Sequence, residues 1–193
     1  MGWRERTYAV TIRRHVDVGY LTVVDNATLD VADEAGYLAG NAMFQDLSAF
    51  TWADAAQAVA REGALIARLQ AADDLDAEAD EIDEERFDAL DDAEALWNLD
   101  VGVAGAVLAL SALGCAPVGS CNAGGFGGQH QAQHPYVAFF LPAASAAEVL
   151  ELAAAAGAGL IVDIDGLAQL YADRDLGLPR FAELAVARHL DGA

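Results

Sequence analysis

Between Asp73 and Asp100 the chain carries fourteen aspartates and glutamates against a single arginine, Arg86, an excess of 13 negative charges in twenty-eight residues. Charge of that density ordinarily keeps a segment solvated and extended. Yet Leu75, Ala79, Ile82, Phe87, Leu90, Ala93 and Trp97 return every three to five positions, an apolar stripe for which a solvated linker has no use. The spacing predicts one or two strongly acidic surface helices, with a partly mobile arm as the alternative. Sequence character changes on either side of the run, so it is also the natural division of the chain.

The same acidity extends to the whole chain. Ten positive side chains against thirty-one negative ones leave a formal charge of −21 over 193 residues, and no lysine is present. Nucleic acid needs cations gathered on one surface, whereas the arginines here are scattered, Arg13 and Arg14 being the one adjacent pair. An anionic membrane is disfavoured for the same reason. A hydrophobic content of 55% is ample for a folded core. The longest apolar run, Val101 to Leu113, is shorter than the roughly twenty residues a membrane span needs. The opening residues lack the apolar core of a secretory signal, so a soluble, cytoplasmic protein with reduced cysteines is expected.

Alternation at Tyr8, Val10 and Ile12, then a β-rich run from Tyr20 to Val24, predicts an N-terminal β-hairpin turning through His15 to Gly19. Asp25 to Gly40 reads as irregular or as a short helix. Thr51 can cap a helix reaching about Ala71, with Asp54 in its first turn. A buried helix over Val101 to Leu113 stops at Gly114 and leads into a glycine-rich segment from Cys115 to His134. A strand over Tyr136 to Leu141 is followed by a helix from Ala143 to Ala156, a strand from Leu160 to Ile164, and short helices at Leu167 to Ala172 and Pro179 to Leu190. The fold class is α/β of the α+β type, a small mixed sheet with packed helices. Residues 1–72 would hold the hairpin and a helix, 73–100 the acidic helical connector and 101–193 a C-terminal α/β unit, all packed as one globule.

Chemistry concentrates in CAPVGSCNAGGFGGQHQAQH, residues 115–134, which hold both cysteines and two of the four histidines. Cys115, Cys121, His130 and His134 are the ligand types of a tetrahedral zinc site, although Pro135 and the surrounding glycines leave no long helix to carry the histidines. Cys121 stands at the mouth of the GGFGG loop, where backbone N–H groups could favour a thiolate, so it is also a candidate nucleophile with His130 or His134 as base. Ser120, Cys121, Asn122, Gly124, Gly125, His130 and His134 are the candidate ligand-binding residues. Cys115, after an apolar helix, reads equally as a small buried hydrophobe. His15 and His189 read as surface or capping groups. Asp163 and Asp165, at a strand end, form an alternative acidic site if both stay in strand geometry, or a helix cap if they do not. The loop is not a P-loop, which requires Lys before Ser or Thr, nor a dinucleotide fingerprint. No esterase elbow is present, and Ser120, His130 and Asp163 do not by themselves make a triad.

The stretch Leu110 to Phe140, with SALGCAPVGSCNAGG and then PYVAFF, resembles a loose class of uncharacterised bacterial and phage domains in which a helix leads into a Ser-Cys dipeptide, a glycine and a strand ending in Phe. A comparable Ser-Cys-Ser-Gly stretch lies in the substrate region of the tRNA wybutosine-synthesis methyltransferase. The resemblance implies that Ser120, Cys121 and the adjacent glycines form a pocket, and nothing about the reaction. Three functions remain open at this point. One is a small ligand- or metal-binding module, with zinc as the metal, centred on residues 115–134. Another is a thiol-dependent enzyme using Cys121. The third is an acidic protein that binds or inhibits a basic protein partner.

Overall fold

The computed structural model describes residues 3–87, 96–127 and 132–190. Its centre is a five-stranded mixed sheet of β1 (Arg14–His15), β2 (Ala116–Cys121), β3 (Tyr136–Phe140), β4 (Gly159–Val162) and β5 (Ala168–Tyr171), in the spatial order β1-β4-β5-β3-β2. β1 runs parallel to β4 and every other pairing is antiparallel. Six α-helices accompany the sheet among the described residues: α1 (Asn26–Ala35), α2 (Trp52–Ala71), α3 (Leu75–Phe87), α4 (Ala104–Ala112), α5 (Ala146–Ala156) and α6 (Gly177–Leu190). The α/β class expected from the sequence is the class observed.

One face of the sheet is covered by α2, α4, α5 and α6, which pack on one another. Val137, Phe139, Leu160 and Leu170 project into this layer and are completely buried. α4 lies in the middle of it with Ala104 to Ser111 all buried, as expected of a helix that is apolar on every side. The other face carries a thinner layer, in which α1 contributes Leu29 and Ala32 to a small core with Phe44, Ala116 and Val118.

Local sequence explains the helix ends. Asp54 N donates to Thr51 Oγ1 while the Asp54 carboxylate accepts from Thr51 N, so the two residues close the start of α2 reciprocally. α3 is helical in spite of its charge because Ala79 and Ile82 are buried against the core, and because Arg68 of α2 holds Glu78, Glu81 and Glu85 together. Leu90 and Ala93 of the predicted stripe lie outside the described residues.

Three expectations are corrected. The N-terminal β-hairpin does not form: Val18–Tyr20 is a single 3-10 turn capped by Asp17, residues 21–24 are not a strand, and the short β1 pairs with β4, nearly 150 residues away. The predicted helix at Leu167 to Ala172 is strand β5, which forms a hairpin with β4 and pairs with β3 on its other edge. The first part of the supposed loop 115–134 is strand β2, at one edge of the sheet. Among the described residues no helix is long and apolar enough to cross a membrane.

Candidate functional site

The structure separates two of the expected zinc ligands, Cys115 and Cys121. Cys115 immediately precedes β2 and Cys121 ends it, and six residues of extended chain span about 20 Å, far more than two ligands of one ion can be apart. Cys115 is buried, and that burial pushes its thiol up to about 12, against the thiolate that zinc requires. His130 lies outside the described residues. His134 rests its ring against Tyr171, centroids 5.4 Å apart, and burial pushes its pKa down. Among the described residues no group of three or more histidine, cysteine or acidic side chains is placed to hold a metal.

Cys121 is half-buried, and Ala123 N–H reaches its Sγ at 3.4 Å. In register Cys121 faces Tyr136, which faces Tyr171 in turn, so the three side chains share one face of the sheet. Beside them a polar knot holds the N-terminal segment. Asp175, buried, accepts from Tyr8 Oη at 2.6 Å and from Arg6 N at 2.7 Å, while the Arg6 guanidinium lies 3.8 Å away and donates to Ala123 O. Burial and the neighbouring Asp175 carboxylate push the Tyr8 hydroxyl up, so it stays a donor.

From Asn122 to Gly127 the glycine-rich loop packs against the protein itself. Asn122 is buried, donating to Val101 O at 2.8 Å and accepting from Gly124 N at 2.7 Å. Phe126 is inserted against Trp3, rings stacked at 5.9 Å, and the Trp3 indole N–H donates to Gly125 O. A side chain at Gly125 would collide with the Asp175 carboxylate, and one at Gly127 with Ala79 of α3. These glycines let other parts of the chain approach closely. Asp163 and Asp165 also change role. β4 ends at Val162, and Asp163 Oδ1 accepts from Asp165 N at 3.0 Å and Leu167 N at 2.9 Å, building the exposed turn between β4 and β5 instead of a shared carboxylate face.

Open space lies at Ser120 instead, in a groove that crosses the edge strand. The register of β2 slips between Pro117 and Gly119, leaving Val118 as an extra residue. Its carbonyl takes a hydrogen bond from Asn41 Nδ2 at 2.9 Å, and Asn41 Oδ1 is held by Met43 N. Two cavities flank this clasp, of about 190 Å³ and 350 Å³, and both are lined by Asn41, Val118, Gly119 and Ser120. The smaller adds Gln45, Leu47, Trp97, Asn98 and Val107, and the larger adds Ala39, Tyr136 and Leu167. Nothing lies within 4 Å of where a Gly119 side chain would begin.

Strained backbone forms part of the walls. Leu96, Trp97 and Asn98 are successive left-handed residues, φ 53°, 49° and 59°, and Ala39 has φ 49°. This conformation costs an L-residue roughly 1–2 kcal/mol, and three in a row persist only where the surroundings hold them. Leu96 is wholly buried and Phe50 meets Trp97 edge to face at 4.8 Å, and these contacts supply the hold. Sequence reading located Ser120 but missed Asn41, Trp97 and Asn98, since neither spacing nor motif ties them to β2. No family model, curated protein or solved structure matches the chain.

Proposed function

We propose that the protein is a small-molecule binding module whose ligand lies in the groove across β2, clasped around Asn41, Gly119 and Ser120. The observation that carries this reading is the pair of cavities sharing one clasp, whose combined space is in the range of natural ligand sites. Among the described residues their lining holds no Asp, Glu, Arg, His or Cys, and Tyr136 is the one titratable side chain in it. Such a lining orients a ligand through amide and hydroxyl groups, the way a binding site fixes a small molecule. In the field of a chain at −21, the ligand is neutral or cationic.

Protein-observed NMR with a library of neutral, cationic and anionic fragments tests this. Neutral or cationic fragments should bind and shift the Trp97 indole resonance, and Gly119→Leu, which puts a side chain into the groove both cavities share without a clash at its Cβ, should weaken those shifts. Hits that leave Trp97 unmoved, or whose shifts Gly119→Leu leaves unchanged, would place the ligand elsewhere and refute the reading.

A further inference from the structure

The second face of the molecule carries a surface that the groove does not explain. Of the eight large apolar side chains most exposed among the described residues, six fall between Val18 and Met43, including Tyr20 (73% exposed) and Val23 (85%); one of the six, Met43, also lines the smaller cavity of the groove. A seventh, Ile164, tops the β4–β5 turn, and that turn is tied to the same segment: Thr22 N donates to Gly166 O at 3.2 Å and Thr22 Oγ1 to Asp165 O at 2.7 Å. The remainder of the segment is pinned to α1, Phe44 N donating to Gly36 O and Asp46 N to Asp33 Oδ1. Only Leu29 and Ala32 of α1 are buried, while Val31 stands out at 66% exposure. Monomeric proteins scatter such residues singly, and six of them within one segment of the chain mark that segment as an interaction surface.

Charge selects the occupant. Between Arg14 and Arg61 the chain has seven carboxylates and no arginine or lysine. Asp17, Asp25, Asp30, Asp33 and Glu34 are exposed in the same segment as the apolar residues. A second copy of the chain would bring identical carboxylates against these, and nucleic acid or an anionic membrane would be repelled. We propose that the outer face of residues 18–37 is a docking surface for a cationic, apolar protein segment, one that sets lysine or arginine against the α1 carboxylates and aliphatic side chains over Tyr20, Val23 and Val31. This site is separate from the acidic helix α3, whose exposed residues Asp76, Asp80 and Glu84 lack apolar companions of this size.

The test uses a labelled amphipathic helical peptide of leucine and lysine, with a leucine–glutamate peptide of the same pattern as control, followed by fluorescence anisotropy at about 150 mM salt to suppress unspecific charge attraction. The lysine peptide should bind the full chain. Tyr20→Ser, Val23→Ser and Val31→Ser combined should weaken it at least about tenfold, whereas Asp76→Asn, Asp80→Asn and Glu84→Gln combined should change it less than about threefold. All six positions are exposed, so circular dichroism should show both variants folded. Amide exchange should slow at residues 18–37 when the lysine peptide binds. The proposal is overturned if the lysine peptide does not bind, if the serine variant binds it as well as the parent, if the α3 variant loses as much, or if the glutamate peptide binds equally. Sedimentation showing a dimer that the serine variant dissolves would assign the face to a second copy and also overturn it.

Discussion

Glu62 is the most constrained ionisable residue among those described. It lies in the middle of α2, is 2% exposed, and accepts from Gly102 N at 2.8 Å and Gly105 N at 3.1 Å, satisfying backbone donors at the start of the wholly buried α4. Burial outweighs these bonds and the nearby Arg86, and raises its pKa from 4.5 to about 7. The folded state therefore holds this proton more tightly than the unfolded chain, so its contribution is complete below about pH 4.5 and is lost as pH rises through about 7, a change of about 3 kcal/mol. Glu62→Gln should flatten that part of the profile, while costing about 1–3 kcal/mol at pH 4.5 because its amide NH₂ must face one of the two backbone donors. Urea midpoints of both proteins between pH 4.5 and 8 check this, and parallel profiles would contradict it. The two thiols offer a second residue-scale contrast. Iodoacetamide should modify Cys121 in the native protein and reach Cys115, buried with its thiol pushed up to about 12, only after unfolding, as peptide mass mapping would show.

At the scale of elements, the ends of α2 were the most legible feature. Thr51 and Asp54 announced a capping box, and both of its bonds form. Thr51→Ala should cost about 1 kcal/mol, read as a lowered urea midpoint with unchanged slope. β3, α4, α5 and α6 were equally readable, because continuous apolar runs and glycine or proline stops are local signals. β5 was not. Its four residues, Ala-Gln-Leu-Tyr, suit a helix as well as a strand, and only pairing on both sides decides between them. The two-residue β1 owes its existence to β4, so no pattern in the N-terminal segment could reveal it. The candidate groove divides in the same way. Ser120 stands out as a polar residue beside glycines, but Asn41 enters from 77 residues away to hold Val118, and Trp97 is placed by a left-handed turn for which its sequence carries no glycine. The buried Asp175, bonded to Tyr8 and Arg6 from more than 160 residues away, was invisible for that reason too.

At the scale of the whole molecule, the charge of −21 is spent unevenly. On α3, Glu78, Glu81 and Glu85 converge on Arg68, and Ala79 and Ile82 face the core, whereas Asp76, Asp80 and Glu84 face solvent among other carboxylates. The first group ties α3 to α2. The second adds to a self-repulsion that unfolding relieves by spreading the charges apart. Salt should act on these terms in opposite directions, weakening the Arg68 contacts and screening the repulsion, and with thirty-one acids against ten bases the repulsion dominates. Raising NaCl from about 0.05 M to 1 M, which shortens the screening length to about 3 Å, should therefore raise the melting temperature. Asp76→Asn, Asp80→Asn and Glu84→Gln together should stabilise the protein at low salt by about 0.5–1 kcal/mol, and that gain should vanish at 1 M. Glu81→Gln with Glu85→Gln removes two charges but also two Arg68 partners, so its gain should be smaller per charge. Thermal unfolding of the three proteins at both salt concentrations separates the terms, and an equal gain per charge in the two variants would show that net charge alone, without the Arg68 geometry, governs the stability of this helix.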